Sequence, residues 1–425
     1  MEAYYSRRNS TLLILLSVLA LVHIVFEWRE TGDFLIYFQA SKDLLSGYNI
    51  FTRLYGTDHA LPYFGSPTLA LLLAPISFLP FPFAAALFKL CSLLLLWRIW
   101  VLLEKFINPT VFTPKQYSIF IVASFVGMGF FLYRNFHLNQ LTIFLLWSCL
   151  ESVFQAQKDR WLPAGLILAL GIMSKILPIA FLPYFLYRAY FRAAGGAIVF
   201  TLFFLLMPAL FLSWHHFIDL SSSWWLAINP SKGINVLDYQ TEDIHTVAVW
   251  LSSLLLPKVG LKENTLPISR NIVSLPIQTV IWVIQFVRIA LILCTVYFMR
   301  TLPFKREKNN FFILWEIGYI CMVIPLVFPQ QRLYAFLFFL PAIVYLNYFF
   351  VYANVVVKYN QQRFYTFIYV YIASLFIFNL ELIVGNFREY YWHFKTVTYA
   401  ALLLMGVYAL LRPSRLKSLT NAWKE

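Results

Sequence analysis

The sequence predicts an all-α, multi-spanning membrane protein with about twelve transmembrane helices, each needing about 20 apolar residues to cross the hydrocarbon. Three observations carry this. Of the 425 residues, 61% are hydrophobic and only 12% charged, where a soluble domain carries roughly 25% charged residues. Long apolar runs recur along the whole chain. Aromatic residues make up 19%, which suits Trp and Tyr belts at headgroup depth.

The first run, 10–28, follows Arg7 and Arg8 and is succeeded by Glu27, Trp28 and Arg29 with no small-residue cleavage site, so it is expected to be a retained helix. Further runs cover 82–103, 116–133, 138–155, 161–175, 176–190, 194–212, 276–299, 310–328, 332–352, 364–381 and 396–411. The stretch 67–80 is broken by Pro75 and too short to cross, so it is expected to be juxtamembrane or re-entrant. Basic residues support that choice. With 67–80 not spanning, one face collects Arg7, Arg8, Lys105, Lys115, Lys158, Arg160, Arg188, Arg192, the 300–308 group, Lys358, Arg363, Arg412, Arg415 and Lys417. The other face receives most acids, among them Asp33, Asp43, Asp58, Asp219, Asp243 and Glu389. The positive-inside rule then places both termini in the cytoplasm of a multi-pass cell-membrane protein, expected in a bacterial inner membrane.

This layout makes 1–425 one integral membrane domain with two large extracytoplasmic loops, 27–81 and 213–275. In the first, Asp33, Tyr37, Ala40 and Leu44 recur at helical spacing, which predicts a short interfacial helix with Asp33 and Tyr37 on one face. In the second, 242–256 is expected to be another surface helix. The Trp-rich stretch 214–225 reads as an interface anchor in preference to a sugar platform.

The net charge of +14 lies in short loops between apolar runs, so it is topological and no nucleic-acid partner is expected. The four cysteines sit inside apolar runs with neither disulfide nor metal spacing. His215 and His216 lack further ligands at metal spacing. Walker and Rossmann fingerprints are absent from the sequence, which disfavours a nucleotide-driven pump or a soluble-type nucleotide-sugar enzyme. No cofactor or metal is expected. Lys89 and Arg98 lie within spans and are expected to pair with Glu151 or Glu316.

On the predicted outer face one polar set joins a single carboxylate to several cations. Asp33 lies in the first loop. Arg134, His137, Asn139 and Gln140 fill a short turn, Lys175 separates two apolar runs, and Arg332 follows Gln330 and Gln331. A carboxylate can take a proton from an attacking hydroxyl, and cations can hold a phosphate and stabilise it as it leaves. Plainer readings stand beside these. On these, Asp33 is a helix cap, Lys175 snorkels to the interface, Gln140 caps the next helix, and Arg134, His137 and Arg332 are ordinary loop residues.

The chain also resembles glycosyltransferase family 87, the polyprenyl-phosphate-sugar-dependent, mannosyltransferase-like proteins of the C-type glycosyltransferase fold. Asp33, Tyr37, Ala40, Leu45, Gly47 and Tyr48 resemble that family's first-loop signature. Tyr63, Ser66-Pro67 and the run from Leu69 to Pro80 resemble its aromatic-Pro-Pro segment, with Ser66 in place of the first proline. His137 to Thr142 resembles its Gly-Gln turn, with Asn139 in place of Gly. Ala164-Gly165-Leu166 through Lys175 and Pro178 resembles its Gly-Leu-rich helix ending in lysine, while Phe328 to Tyr334 stands where a Trp-x-His segment is usual. The resemblance covers residues 10 to 200, and the rest only in hydropathy.

The resemblance implies an inverting transfer of a hexose such as mannose from a polyprenyl-phosphate sugar to a lipid or glycan acceptor. Asp33 would be the general base. Tyr37, Tyr63, Arg134, His137, Gln140, Lys175 and Arg332 would contact substrate, and membrane lipids would surround the donor's chain. The rival class is a transporter or flippase of lipid-linked glycans. Such a protein should show internal symmetry, and no repeat is visible in the sequence.

Overall fold

The computed structural model describes residues 31–107, 109–229, 243–257, 268–299, 302–355 and 362–414, with isolated positions 17, 18, 21, 22, 25, 237 and 266. The expected first span, 10–28, lies largely outside the described residues. Arg7, Arg8, Arg300, Lys358, Arg415 and Lys417 of the expected basic face also lie outside them.

The described chain is nearly all helix. Before the first long helix come α1 (Phe34–Leu45), a two-residue antiparallel hairpin of β1 (Leu54–Tyr55) and β2 (Leu61–Pro62), and α2 (Pro67–Leu73). Ser66 starts α2 by accepting the Leu69 amide at its side chain, with Pro67 at the first helical position. At 1.5 Å per residue the seven-residue α2 is about 10 Å long, far short of a bilayer. Next come α3 (Phe81–Phe106), α4 (Pro114–Gly127), α5 (Gly129–His137), α6 (Thr142–Gln157) and α7 (Trp161–Ser174). A 3-10 turn, Leu177–Ala180, leads into α8 (Phe181–Tyr187), then α9 (Phe191–Leu206), α10 (Trp214–Ile228) and α11 (Val247–Leu255). The remainder is α12 (Ile277–Met299), α13 (Asn310–Val327), a 3-10 turn Leu333–Phe339 into α14 (Leu340–Val355), α15 (Gln362–Asn379), α16 (Arg388–His393) and α17 (Thr396–Leu410).

Among the described residues, six helices are long and apolar enough to cross a membrane, or seven if α4 and α5 form one span bent by 56°. Other runs expected to span form shorter apolar helices. Several runs are cut by tight backbone turns into helices such as α7, whose 14 residues cover about 21 Å. Lys175 is extended (φ −154°, ψ 135°) after α7, and Ala189 and Asn139 adopt positive φ. The bend between α4 and α5 is held by Asn379. Its Oδ1 accepts the Phe130 amide at 3.0 Å and its Nδ2 donates to the Gly127 carbonyl at 3.1 Å, satisfying backbone groups that the break frees.

Burial separates inner from outer helices. The apolar windows of α13 and of Leu333–Ala353 are 78% and 94% buried, while those of α12 and Phe364–Leu382 are 17% buried. The first pair form the core, and the second present apolar side chains outward, as lipid-facing helices do. α7 and α9 approach closely at Gly165, where a Cβ would lie 2.7 Å from the backbone of Gly196 and Ala197. Two buried carboxylates are paired with arginines. Arg98 binds Glu151 at 2.7 Å, as expected, whereas Glu316 takes Arg188 and the Tyr184 hydroxyl. Lys89 is buried within α3. The helix expected on the surface at 242–256 is α11, and it is buried. Its apolar residues surround the whole axis, so it packs against α12 and α13.

Candidate active site

Asp33 immediately precedes α1, and backbone contacts fix it there. Its amide donates to the Leu138 carbonyl at 2.8 Å. Gly32 turns the chain with φ +49°, and a Cβ on it would meet Leu138 C and O at 2.5 Å, so only glycine fits this approach. The Asp33 carboxylate does not cap α1. It accepts a hydrogen bond from Gln140 Nε2 instead.

The turn carrying Gln140 depends on Asn139, whose φ of +50° is a left-handed conformation. Glycine reaches it freely and asparagine more easily than most residues. That accounts physically for Asn139 in a glycine position. Asn139 Nδ2 also donates to the Thr31 carbonyl at 3.3 Å, tying the turn to the residues before Asp33. Gln140 is buried, and Leu141, not Gln140, occupies the cap position of α6.

Asp33, Lys175 and Arg332 line one cavity of about 530 Å³. Its remaining wall is largely apolar and aromatic: Ile36 of α1, Phe64, Leu177, Trp224, Trp225, Ile228, Ile244, Phe328 and Tyr334. Lys175 lies just past α7, with Nζ 5.5 Å from the centre of the Tyr334 ring. Burial pushes its ammonium down to about 8, an effect opposed by the charge of Asp33 and reinforced by Arg332. Ser66, also on the wall, donates to the Met173 carbonyl two residues before Lys175. The hydroxyl in the first-proline position thus joins α2 to the end of α7.

Behind Asp33, Tyr37 is buried and meets Tyr63 edge-on, with ring centres 6.1 Å apart. Burial, and then the charge of Asp33, hold the Tyr37 phenol well above its usual range, so it stays a neutral hydroxyl. Tyr63 donates to the Ser66 carbonyl at 2.8 Å. Neither tyrosine lines the cavity. Arg134 also stands outside the lining, with its guanidinium 3.7 Å from Asp243. Asp243 lies 3.6 Å from Arg332 on its other side. His137 stacks on Tyr133 with ring centres 5.4 Å apart and takes no part in the wall.

In the sequence Asp243 is one of several outer-face acids. The structure makes it the link between two of the expected cations. The segment around it is strapped to the Arg332 turn by an antiparallel bridge from Ile244 to Arg332 and by the His245 amide on the Gln331 carbonyl at 3.2 Å. Its sequence signal was the same as that of Asp33, a carboxylate just ahead of an apolar helix. Trp224 and Trp225 form cavity wall where an interface anchor was expected, although Trp225 is 57% exposed. Asn49 Nδ2 donates to Asp219 at 2.6 Å and to Ser223 at 3.1 Å. These bonds hold α10, with its tryptophans, against the segment that carries α1.

Among the described residues, no group of three or more His, Cys, Asp or Glu side chains is placed to share a metal ion. The chemistry on offer is one hydrogen-bonded carboxylate facing two cations across a largely apolar chamber, an arrangement for moving a proton near a phosphate.

A comparison with protein families matches residues 63–329 to the family described as glycosyltransferase family 87. The matched stretch contains Tyr63, Arg134, His137, Gln140 and Lys175 and ends just before Arg332, while Asp33 and Tyr37 precede it. It extends past residue 200, where the resemblance had rested on hydropathy alone. No curated protein matches the chain.

Proposed function

The chain belongs to glycosyltransferase family 87 and is a membrane glycosyltransferase, and from that premise we propose that it moves a hexose such as mannose from a polyprenyl-phosphate donor to a hydroxyl of a lipid or glycan acceptor. The supporting observation is that Asp33, Lys175 and Arg332 share one chamber of about 530 Å³. That volume is in the range of small-ligand sites, roughly 300–1,000 Å³. It suits a sugar phosphate, with the polyprenyl chain running out between apolar helices.

In this reading the acceptor oxygen attacks the anomeric carbon on the face opposite the phosphate. The new C–O bond forms as the bond to the phosphate oxygen breaks, and configuration inverts. The acceptor proton passes to the Asp33 carboxylate, which Gln140 keeps oriented. The electron pair stays on the departing lipid phosphate, whose charge is met by Lys175 and Arg332. Side-chain cations supply this stabilisation, so the reading invokes no cofactor. Arg134 and Asp243 set the position of Arg332, and Tyr37 and Tyr63 support the Asp33 helix from behind. We read the helical layout as the C-type glycosyltransferase fold with about twelve spans, both termini cytoplasmic, and the chamber at the extracytoplasmic edge of a bacterial inner membrane.

The test offers the purified protein a panel of polyprenyl-phosphate sugars and measures lipid phosphate release, with Asp33→Asn in parallel. Release from one donor, lost in the variant at unchanged expression, supports the reading. Near-wild-type transfer by the variant would sink the base assignment, and no release from any donor would sink the donor class.

A further inference from the structure

At the far end of the bundle from the chamber, three cations converge on one aromatic ring. Lys158 Nζ lies 4.3 Å, Lys105 Nζ 4.6 Å and Arg98 Cζ 5.7 Å from the centre of Phe154. A ring has two faces, so at least two of these charges share one. Glu151 offsets one of the three, since Arg98 donates to both its oxygens at 2.7 and 2.9 Å. Nearby acids are engaged elsewhere. Glu104 accepts from Trp100 Nε1 and the Tyr117 hydroxyl, and Asp159 pairs with Arg306 at 2.6 Å. Among the described residues, neither Lys105 nor Lys158 makes an ion pair.

The helices give the cluster its depth. Lys105 is in the last turn of α3, and Lys158 follows the end of α6. Both helices begin beside the chamber. Phe81 and Phe88 of α3 pack on Phe34, next to Asp33, with ring centres 6.1 and 4.6 Å away, and α6 starts two residues after Gln140. The 16 residues of α6 run about 24 Å and the 26 of α3 about 39 Å, so the cluster sits near the opposite headgroup layer. A cation at each helix C-terminus is ordinary. Two exposed lysines gathered with an arginine on one buried ring are more than that rule requires, because like charges repel at this range.

We propose that Lys105 and Lys158, backed by Arg98 and Phe154, form a binding site for a phosphate-bearing anion, in the first place the headgroup of an anionic phospholipid in the leaflet opposite the chamber. The lysines supply two charges to the phosphate oxygens, and the ring fixes the lysine stems so that both reach one anion. The site is independent of the reaction assigned to the chamber.

The experiment uses the full chain in nanodiscs of phosphatidylcholine, alone or with phosphatidylglycerol, and reads the thermal unfolding midpoint. A second arm adds millimolar inorganic phosphate to the phosphatidylcholine discs. The expected result is a midpoint several degrees higher with phosphatidylglycerol, lost in Lys105→Gln/Lys158→Gln and kept in Lys105→Arg/Lys158→Arg. The same shift with inorganic phosphate alone would assign the site to a soluble phosphate. No shift with either anion overturns the proposal, and so does an equal shift in the Gln pair. Lys115→Gln, a basic residue outside the cluster, should keep the full shift, and if it loses as much as the Gln pair the effect is bulk charge and the proposal fails. Should the Gln pair fail to fold, Lys158→Gln alone, at an exposed position, must show a reduced shift.

Discussion

Gln140 Nε2 donates to Asp33 Oδ2 across 107 residues of sequence. The bond holds the carboxylate toward the chamber and satisfies a buried amide. A hydrogen bond to a charged group contributes about 1.5–3 kcal/mol, which corresponds to roughly tenfold to a hundredfold in rate. Gln140→Leu should therefore lower the transfer rate by about that factor, with donor KM little changed, in steady-state assays of lipid phosphate release. An unchanged rate would show that the bond does not orient the base.

Lys175 gives the reaction a pH dependence with a defined sign. Burial pulls its ammonium down to about 8, so the charge is present below that pH and lost above it. Donor KM should rise as pH passes upward through about 8, later when bound phosphate favours the ammonium. Lys175→Arg should remove this limb, since a guanidinium keeps its charge throughout. The check is donor KM measured from pH 6.5 to 10 for both proteins.

The two arginines joined by Asp243 should separate on mutation. Arg332 lines the chamber and Arg134 does not. Arg332→Ala should raise donor KM about tenfold or more, the worth of a charge-assisted contact. Arg134→Ala should raise it only about twofold to threefold, since it acts through a partly exposed pair. Equal effects would place Arg134 on the substrate as well.

Gly32→Ala tests the backbone anchor. The added Cβ would overlap Leu138 at 2.5 Å in a positive-φ position, and such strain costs roughly 1–3 kcal/mol. The expected outcome is a lower unfolding midpoint together with loss of transfer. Stability and transfer both at wild-type level would show that the contact can relax.

The orientation is open to labelling. Asp58→Cys, in the segment between β1 and β2, should react with a membrane-impermeant maleimide in intact cells. Arg160→Cys, beyond α6, should react only after permeabilisation. The reverse pattern would put the chamber on the cytoplasmic side.

Hydropathy alone located the helices that run through their apolar stretch without a backbone break. The runs 276–299, 310–328 and 396–411 correspond to Ile277–Met299, Asn310–Val327 and Thr396–Leu410. It could not locate breaks made by backbone conformation. The run 116–133 continues through a 56° bend because Asn379, far along the chain, satisfies the broken ladder. The run 138–155 begins late because Asn139 turns left-handed. Asp33, Lys175 and Arg332 were legible as charges with no apolar role at a membrane edge, and they share a chamber. The part played by Asp243 was not, because what marks it out is its distance from two arginines in other segments. Tyr37, Tyr63, Arg134, His137 and Gln140 are expected at the substrate, and the structure sets all five behind or beside the wall.

The Asp33 amide rests on the Leu138 carbonyl, and its carboxylate on Gln140, two residues further along the same turn. The address of the acid is therefore written in the length of residues 138–141 more than in the identity of the helix it begins. Substitutions across the exposed side of α1 would leave the carboxylate in place. One residue inserted into or deleted from that turn would move acid and amide out of step with each other. In related chains this turn should thus vary in its letters before it varies in its length.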